Sequence, residues 1–241
     1  MKLNLTEEEL KLHQLLSSIP LKELDDSGNP INSASGCIIN YSGKNFILTV
    51  SHATKNMGRW AIEIGYEHPN GTKFYKIGQM NFLIEASLNS SIVKDIDFSY
   101  AIISDDISPL YQKINPDGRI INEYPRTINQ IDFDAQPTPN QKYGFSGQTK
   151  LSLENQYLFG EVILVSDMKF IEERNGFYVF KLPTRHQGHE YYQGCSGAPI
   201  IDNDGNIVAL VTSGDIDTNT IVGINIRKYK VSLDIACNNI K

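Results

Sequence analysis

Short runs of β-branched and aromatic residues, separated by turn-forming residues, constrain the fold of this chain more than any other feature. From residue 31 onwards such runs recur at close intervals, as in residues 46–50 (FILTV) and residues 207–211 (IVALV). Gly, Asn, Asp and Ser interrupt them, as at residues 203–206 (NDGN). Many short strands with close turns, and almost no helical periodicity, predict an all-β barrel or sandwich.

The two ends of the chain and one central stretch depart from this pattern. Thr6 and Glu9 have the spacing of a capping box, and leucines with roughly helical spacing follow until Pro20. We therefore expect a short amphipathic helix over residues 7–17, packed against the body of the protein. A closing helix is expected after residue 228, and the proline-containing stretch around residues 118–140 is typical of a linker between two β units.

Length, charge and cysteine count narrow the function classes. The chain has 241 residues, enough for a sizeable core, and its net charge of −6 argues against a nucleic-acid-binding surface. No apolar run is long enough to span a membrane, and the N-terminal segment lacks the apolar core of a signal peptide. Three cysteines are too few for a disulfide framework, so we expect a cytoplasmic protein.

Residues 194–199 (GCSGAP) are typical of a tight turn that carries an exposed nucleophile. Gly194 has no Cβ, so the backbone can closely approach a reacting carbonyl group. The N–H groups of Gly194 and Ser196 could then converge on a developing oxyanion. Serine is a poor nucleophile at neutral pH, so this interpretation requires a general base and an acid that orients the base.

His52 and Asp97 are the candidates for these two roles. His52 ends the apolar run that begins at Phe46, and Asp97 directly precedes another apolar run, residues 98–103. Asp95, two residues earlier, is the competing acid. His186 and His189 lie nearer to the serine in sequence, but their spacing matches no zinc motif, so no metal site is expected.

Four segments carry a resemblance to the chymotrypsin/trypsin-like serine peptidases of the PA clan. Residues 48–53 (LTVSHA) resemble the histidine segment of that family, and residues 97–103 (DFSYAII) are similar to its aspartate segment. Residues 194–199 and 223–229 resemble the nucleophile turn and a later strand. The order His52, Asp97, Ser196 is also that of the family. The resemblance covers about residues 31–241 and is closest in character to disulfide-free intracellular or bacterial members.

The resemblance implies two six-stranded antiparallel Greek-key barrels, preceded by a short helix and followed by a C-terminal helix. The expected segments are a helical extension (1–30), a first barrel with His52 and Asp97 (31–118), a linker (119–140), a second barrel with Ser196 (141–228) and a C-terminal helix (229–241).

The implied activity is that of a serine endopeptidase acting on a polypeptide through an acyl-enzyme, without a cofactor. Ser196 would be the nucleophile, His52 the general base and Asp97 the orienting acid, with an oxyanion hole at Gly194 and Ser196. The residue before the nucleophile is Cys195, where most trypsin-type members have the aspartate used in their activation. We expect Cys195 to be a small buried side chain. The alternative function is a conditionally active or inactive module for protein–protein interaction, switched by a protein partner.

Four residues are candidates for substrate binding by the same resemblance. Glu190 lies six positions before Ser196, where the family has the base of its primary pocket, and Thr212 falls in the substrate-binding strand. Gly214 and Gly223 would form the pocket walls. An acidic base would favour Arg or Lys at P1, the substrate residue before the cleaved bond; the alternative is that Glu190 is a solvated loop residue.

Overall fold

The computed structural model describes residues 5–55, 58–86, 93–115, 117–154 and 157–238. Strands dominate it, and a helix stands at each end of the chain. The helices are α1 (Glu7–Ser17) and α2 (Lys230–Asn238). The strands of the first half are β1 (Ile19–Leu24), β2 (Pro30–Tyr41), β3 (Lys44–Thr49), β4 (Trp60–Glu67), β5 (Gly71–Lys76), β6 (Asn81–Ala86), β7 (Val93–Ile103), β8 (Leu110–Ile114), β9 (Ile120–Pro125) and β10 (Ile128–Gln130). Those of the second half are β11 (Lys142–Glu154), β12 (Tyr157–Arg174), β13 (Phe177–Lys181), β14 (Pro199–Asp202), β15 (Ile207–Asp215) and β16 (Thr220–Asn225).

The second half is a closed six-stranded barrel in the order β11-β12-β13-β16-β15-β14. The first half is an eight-stranded sheet in the order β5-β4-β1-β2-β3-β7-β6, with β10 paired to β2 in parallel. Strands β8 and β9 form a separate pair. The first half therefore contains more strands than the six of the expected barrel.

One hydrophobic cluster joins the two halves. It combines Phe46 and Leu48 of β3 with Leu210 of β15, Ile224 of β16 and Leu233 of α2, all buried. Burial of large apolar side chains is the main favourable contribution to folding, so this shared cluster holds the two sheets in a fixed relation. Any residues at their common boundary are positioned by both sheets.

Helix α1 begins with the predicted capping box. The Glu9 N–H donates to the Thr6 hydroxyl, and the Thr6 N–H donates to the Glu9 carboxylate at 2.8 Å. The buried Gln14 packs against Gly144 of β11, where a Cβ would come within 2.5 Å of the Gln14 side-chain nitrogen. The predicted helix and its packing on the body of the protein are confirmed.

Three strands lie in segments that were expected to contain none. Strand β1 falls within residues 1–30 and pairs with both β2 and β4, so this segment is not purely a helical extension. Strands β9 and β10 fall within the expected linker, residues 119–140. The division of the chain into domains stays a prediction. The last three residues of the expected C-terminal helix, 239–241, lie outside the described residues.

Within the described part of the chain, neither helix has the length and apolar character needed to cross a membrane.

Candidate active site

Two glycines shape the turn that carries Ser196. Gly194 and Gly197 have φ angles of +97° and +89°, in the left-handed region that favours glycine. A Cβ on Gly194 would lie 2.3 Å from the Gln148 carbonyl oxygen, and one on Gly197 would lie 2.0 Å from the Ser35 carbonyl oxygen. Both positions therefore exclude any larger residue. At Gly194 the structural reason for glycine is the close approach of the Gln148 carbonyl of β11. The sequence had indicated a different reason, namely close approach of the backbone to a substrate carbonyl.

Ser35 of β2 holds this turn from the first sheet. Its backbone N–H donates to the Ser196 carbonyl at 2.9 Å, and its hydroxyl donates to the Gly194 carbonyl at 2.8 Å. Thr49 in turn donates its hydroxyl to the Ser35 carbonyl at 2.7 Å. Ser35 is fully buried, so these bonds are shielded from water. Sequence reasoning missed this role; Ser35 is one of several polar residues in β2, so its residue type gave no signal of its own.

His52 and Asp97 come from neighbouring strands of the first sheet. His52 lies in a single 3₁₀ turn, Ser51–Ala53, directly after β3, and Asp97 lies in β7, which pairs with β3. The Asp97 carboxylate accepts the His52 backbone N–H at 2.9 Å and contacts His52 Nδ1 at 2.8 Å. Asp95 is exposed and lies opposite Ile84 of β6. Of the two acids, Asp97 is the one in contact with His52.

The other ring nitrogen of His52 faces the serine. His52 Nε2 lies 3.0 Å from Ser196 Oγ, within hydrogen-bond distance. A carboxylate at Nδ1 keeps the ring proton on that atom, which leaves Nε2 as the acceptor for the serine proton. The structure thus brings together three residues that are far apart in sequence in one hydrogen-bonded series at the boundary between the sheets.

Two backbone N–H groups of the turn remain available. Among the described residues, neither the Gly194 nor the Ser196 N–H donates to another protein group, whereas the Cys195 N–H donates to the Tyr192 carbonyl at 3.0 Å. The turn is therefore open at the two donors that were predicted to form an oxyanion hole.

Cys195 is buried behind the turn, as predicted. It lies against Gly147 of β11, where a Cβ would come within 2.6 Å of the Cys195 sulfur. Burial raises the pKa of the Cys195 thiol to about 12. A thiol that stays protonated is a weak nucleophile, so Cys195 does not compete with Ser196.

A pocket of about 370 Å³ opens beside Ser196 and is lined in part by Glu190, Thr212 and Gly214. Glu190 is exposed in a short 3₁₀ turn, Glu190–Tyr192, so its carboxylate does not form a buried base. Thr212 donates its hydroxyl to the Val222 carbonyl at 3.1 Å and lies in β15.

Gly223 does not line this pocket, which corrects the prediction. Its hypothetical Cβ would meet Ile200 at 2.7 Å and Ala209 at 2.9 Å, inside the barrel. The residue opposite Gly214 in the β15–β16 pairing is Ile221, and Ile221 lines the pocket. The sequence resemblance placed the wall two residues too far along β16.

No protein-family model and no curated protein matches the sequence. Solved structures do match. They include human heparin binding protein (TM-score 0.61, 12% identity, covering 95% of this chain and 94% of that chain). Mouse neuropsin, a serine protease expressed in the limbic system of the brain, has a TM-score of 0.58 at 13% identity, covering 93% and 96%. A serine endoprotease from Yersinia pestis has a TM-score of 0.56 at 12% identity, covering 95% and 66%.

These similarities at low identity concern the fold. They agree with the strand-dominated architecture and the closed second barrel, and they confirm the fold class predicted from the sequence. The chain has the two-barrel fold of the chymotrypsin/trypsin-like serine peptidases.

Proposed function

We propose that this protein is a serine endopeptidase that cleaves polypeptides through an acyl-enzyme on Ser196. One observation carries the proposal: Asp97, His52 and Ser196 form a continuous series of contacts of 2.8 and 3.0 Å beside an open pocket. Side chains from two different sheets must be positioned independently to produce this series. A nucleophile, a base and an orienting acid in contact are the requirements for acyl transfer by serine.

The proposed reaction uses the same contacts in acylation and in deacylation. Ser196 Oγ attacks the carbonyl carbon of the scissile peptide bond while its proton passes to His52 Nε2. His52 then gives this proton to the leaving amine, and the C–N bond breaks to leave an ester on Ser196. Water hydrolyses that ester by the same route. Asp97 orients His52 and stabilises the imidazolium that forms in both steps.

The oxyanion of each tetrahedral intermediate would be bound by the Gly194 and Ser196 N–H groups. Preorganised donors of this kind are worth about 10²–10³-fold in rate for each one removed. The hydrogen bonds from Ser35 hold the carbonyl groups of Gly194 and Ser196, so contacts within this chain fix the turn. The proposed activity therefore does not require the activating ion pair that Cys195 excludes, nor a protein partner to form the turn.

The edge of β15 would bind the substrate backbone. Strand β14 pairs with β15 only as far as Leu210, and residues 212–214 beyond that point line the pocket. An extended peptide can add to such an edge as a further strand, and its P1 side chain would enter the pocket.

Cys37, Cys195 and Cys237 are free thiols, which supports the proposed cytoplasmic setting.

A serine-reactive fluorophosphonate probe tests the proposal. We expect the wild-type protein to be labelled and the Ser196→Ala variant to be unlabelled, because Ser196 Oγ lies 3.0 Å from the proposed general base, His52 Nε2. Ser104→Ala, which removes an exposed serine outside the site, should be labelled like the wild type. Absence of labelling in the folded wild-type protein would contradict the proposal and favour the interaction module.

A further inference from the structure

A buried polar group stands beside the pocket and has no role in the proposed reaction. His186 is only 4% exposed, and its ring packs 4.6 Å from the ring of Tyr192 and 5.7 Å from that of His189. Tyr192 and His189 both line the pocket. The imidazole of His186 thus lies directly behind two side chains of the pocket wall.

The hydrogen bonding of His186 defines its tautomer. The Gly188 N–H donates to His186 Nδ1 at 3.0 Å, so Nδ1 is an acceptor and the ring proton is on Nε2. Among the described residues, no group pairs with His186 Nε2. A buried donor without a partner is unfavourable, and such groups in native structures usually have a functional explanation.

The unpaired nitrogen points towards the pocket wall. A Cβ on Gly214 would lie 2.5 Å from His186 Nε2, so the nitrogen occupies the space that a side chain at this wall residue would fill. Gly214 and its strand neighbour Ile221 both line the pocket. Glycine at this position therefore leaves no side chain between the Nε2–H group and the pocket that Gly214 lines.

The charges around the pocket select among possible side chains. Burial, with a contribution from His189, lowers the pKa of His186, so the ring is neutral at pH 7. A cationic P1 side chain would bring donors against the His186 donor. A carboxylate would meet no cation from His186, and Glu190 at the pocket adds a negative charge. A carboxamide offers an uncharged acceptor, which satisfies Nε2–H without burying a charge.

We propose that His186 Nε2–H is the specificity donor of the pocket and that it selects substrates with a carboxamide residue, glutamine or asparagine, at P1. This inference rests on the proposed function for the meaning of P1. It differs from the preference for Arg or Lys that a buried acidic base would give, because the buried polar group beside the pocket is His186 and not Glu190.

Peptide binding to the Ser196→Ala variant tests the inference without relying on catalysis. Peptides identical except for P1 Gln, Glu, Arg or Met are titrated and their Kd values compared, Met being the uncharged side chain closest to Gln in size. We expect the Gln peptide to bind at least about tenfold more tightly than the Met peptide, because only Gln satisfies the donor. Adding His186→Phe should reduce that ratio to about one.

His13→Phe is the matched control, since it removes a half-buried imidazole that contacts the Gly205 carbonyl rather than the pocket. The control should keep the Gln-to-Met ratio. A second readout needs no change at position 186: in ¹⁵N-histidine-labelled Ser196→Ala protein, the Gln peptide should shift the His186 Nε2–H resonance downfield and the Met peptide should not.

Equal binding of Gln and Met, tightest binding of Arg or Glu, or a Gln preference that survives His186→Phe would overturn the inference. The two proposals fail separately. Selective Gln binding with no fluorophosphonate labelling of Ser196 would contradict the proposed enzyme activity and support the role of His186 in the pocket. Labelling of Ser196 with a different P1 preference would support the activity and contradict the role of His186.

Discussion

At the scale of single residues, Asp97 makes two kinds of contact with His52 at once. Its carboxylate accepts both the backbone N–H of His52 and the ring Nδ1–H, at 2.9 and 2.8 Å. The first contact fixes the chain at His52 and the second fixes the ring. A substitution that keeps the shape of Asp97 but removes its charge therefore separates orientation of the ring from packing.

Asp97→Asn is expected to reduce kcat by about 10⁴-fold, because the amide can donate to Nδ1 and so favours the wrong histidine tautomer. The assay is steady-state hydrolysis of a peptide substrate at pH 7. Asp95→Asn is the control, since it makes the same change on an exposed residue of the same strand. If both variants retained activity, or lost it equally, the assignment of Asp97 would be incorrect.

Ser35→Ala tests the support of the nucleophile turn. The change removes the hydroxyl that donates to the Gly194 carbonyl, and we expect kcat to fall about tenfold as the oxyanion donors become less well ordered. Ser146→Ala is the matched control: it removes a buried hydroxyl that donates to the Ile163 carbonyl at 2.9 Å in the second barrel.

Both serine variants should unfold at slightly lower urea concentrations, by an amount equivalent to about 1 kcal/mol. Only Ser35→Ala should lower kcat. Equal kcat in the two variants would mean that Ser35 contributes to folding alone.

At the scale of elements, β1 is one of the three strands that the sequence did not predict. All six of its residues are buried, including Lys22 and Glu23, although two adjacent charged residues give no strand-like alternation. Lys22 donates to Ser33 at 3.0 Å and also to Gln148 of the second barrel. A buried lysine is tolerated there because strands on both sides supply acceptors, which the local sequence does not reveal.

The pH dependence of stability follows from this burial. Burial lowers the pKa of Lys22 from 10.5 to about 8. Between these two values the folded protein binds fewer protons than the unfolded chain, so the free energy of unfolding rises with pH across this window. The gain should approach about 3 kcal/mol by the upper end of the window.

Lys22→Met should lack this rise, while Lys76→Met, an exposed lysine of β5, should follow the wild-type profile. The measurement is urea unfolding of the three proteins at a series of pH values from 7 to 10.5. Parallel profiles for the wild type and Lys22→Met would contradict the buried state of this amine.

The bounds of helix α1, unlike those of β1, follow from residues that are close together in sequence. Its capping box and leucine spacing are contained within a dozen residues, so its bounds could be predicted from the sequence. Its partners could not, because Gln14 packs against Gly144 across more than half of the chain.

At the scale of the whole molecule, Arg126 ties the N-terminal segment to the β8–β9 pair, since it directly follows β9 and contacts β8. This guanidinium donates to the carbonyls of Leu15, Ser18 and Leu110, and the Thr127 N–H donates to the Leu16 carbonyl at 2.9 Å. Burial lowers the pKa of Arg126 to about 10, so the side chain remains charged at pH 7. The end of α1 is thus an integral part of the fold rather than a detachable segment.

Removal of residues 1–17 is therefore expected to lower Tm by at least about 5 °C and to give no faster labelling by the fluorophosphonate probe. Thr6→Ala, which removes only the N-cap of α1, should cost about 1 kcal/mol and shift Tm less. Faster labelling of the shortened chain would show instead that α1 inhibits the site.

The sequence by itself determined what depends on neighbouring residues: the alternation of strand runs and turns, the capping box of α1, the glycine-framed turn around Ser196, and the order of His52, Asp97 and Ser196. Only the tertiary structure decided that Asp97 rather than Asp95 meets His52, that Ile221 rather than Gly223 forms the pocket wall, and that Ser35 holds the turn. The physical reason is register. Asp95 and Asp97 lie two residues apart, as do Ile221 and Gly223, so the alternation of side chains along a strand does not distinguish them, and the pairing between distant strands sets which of the two reaches the site.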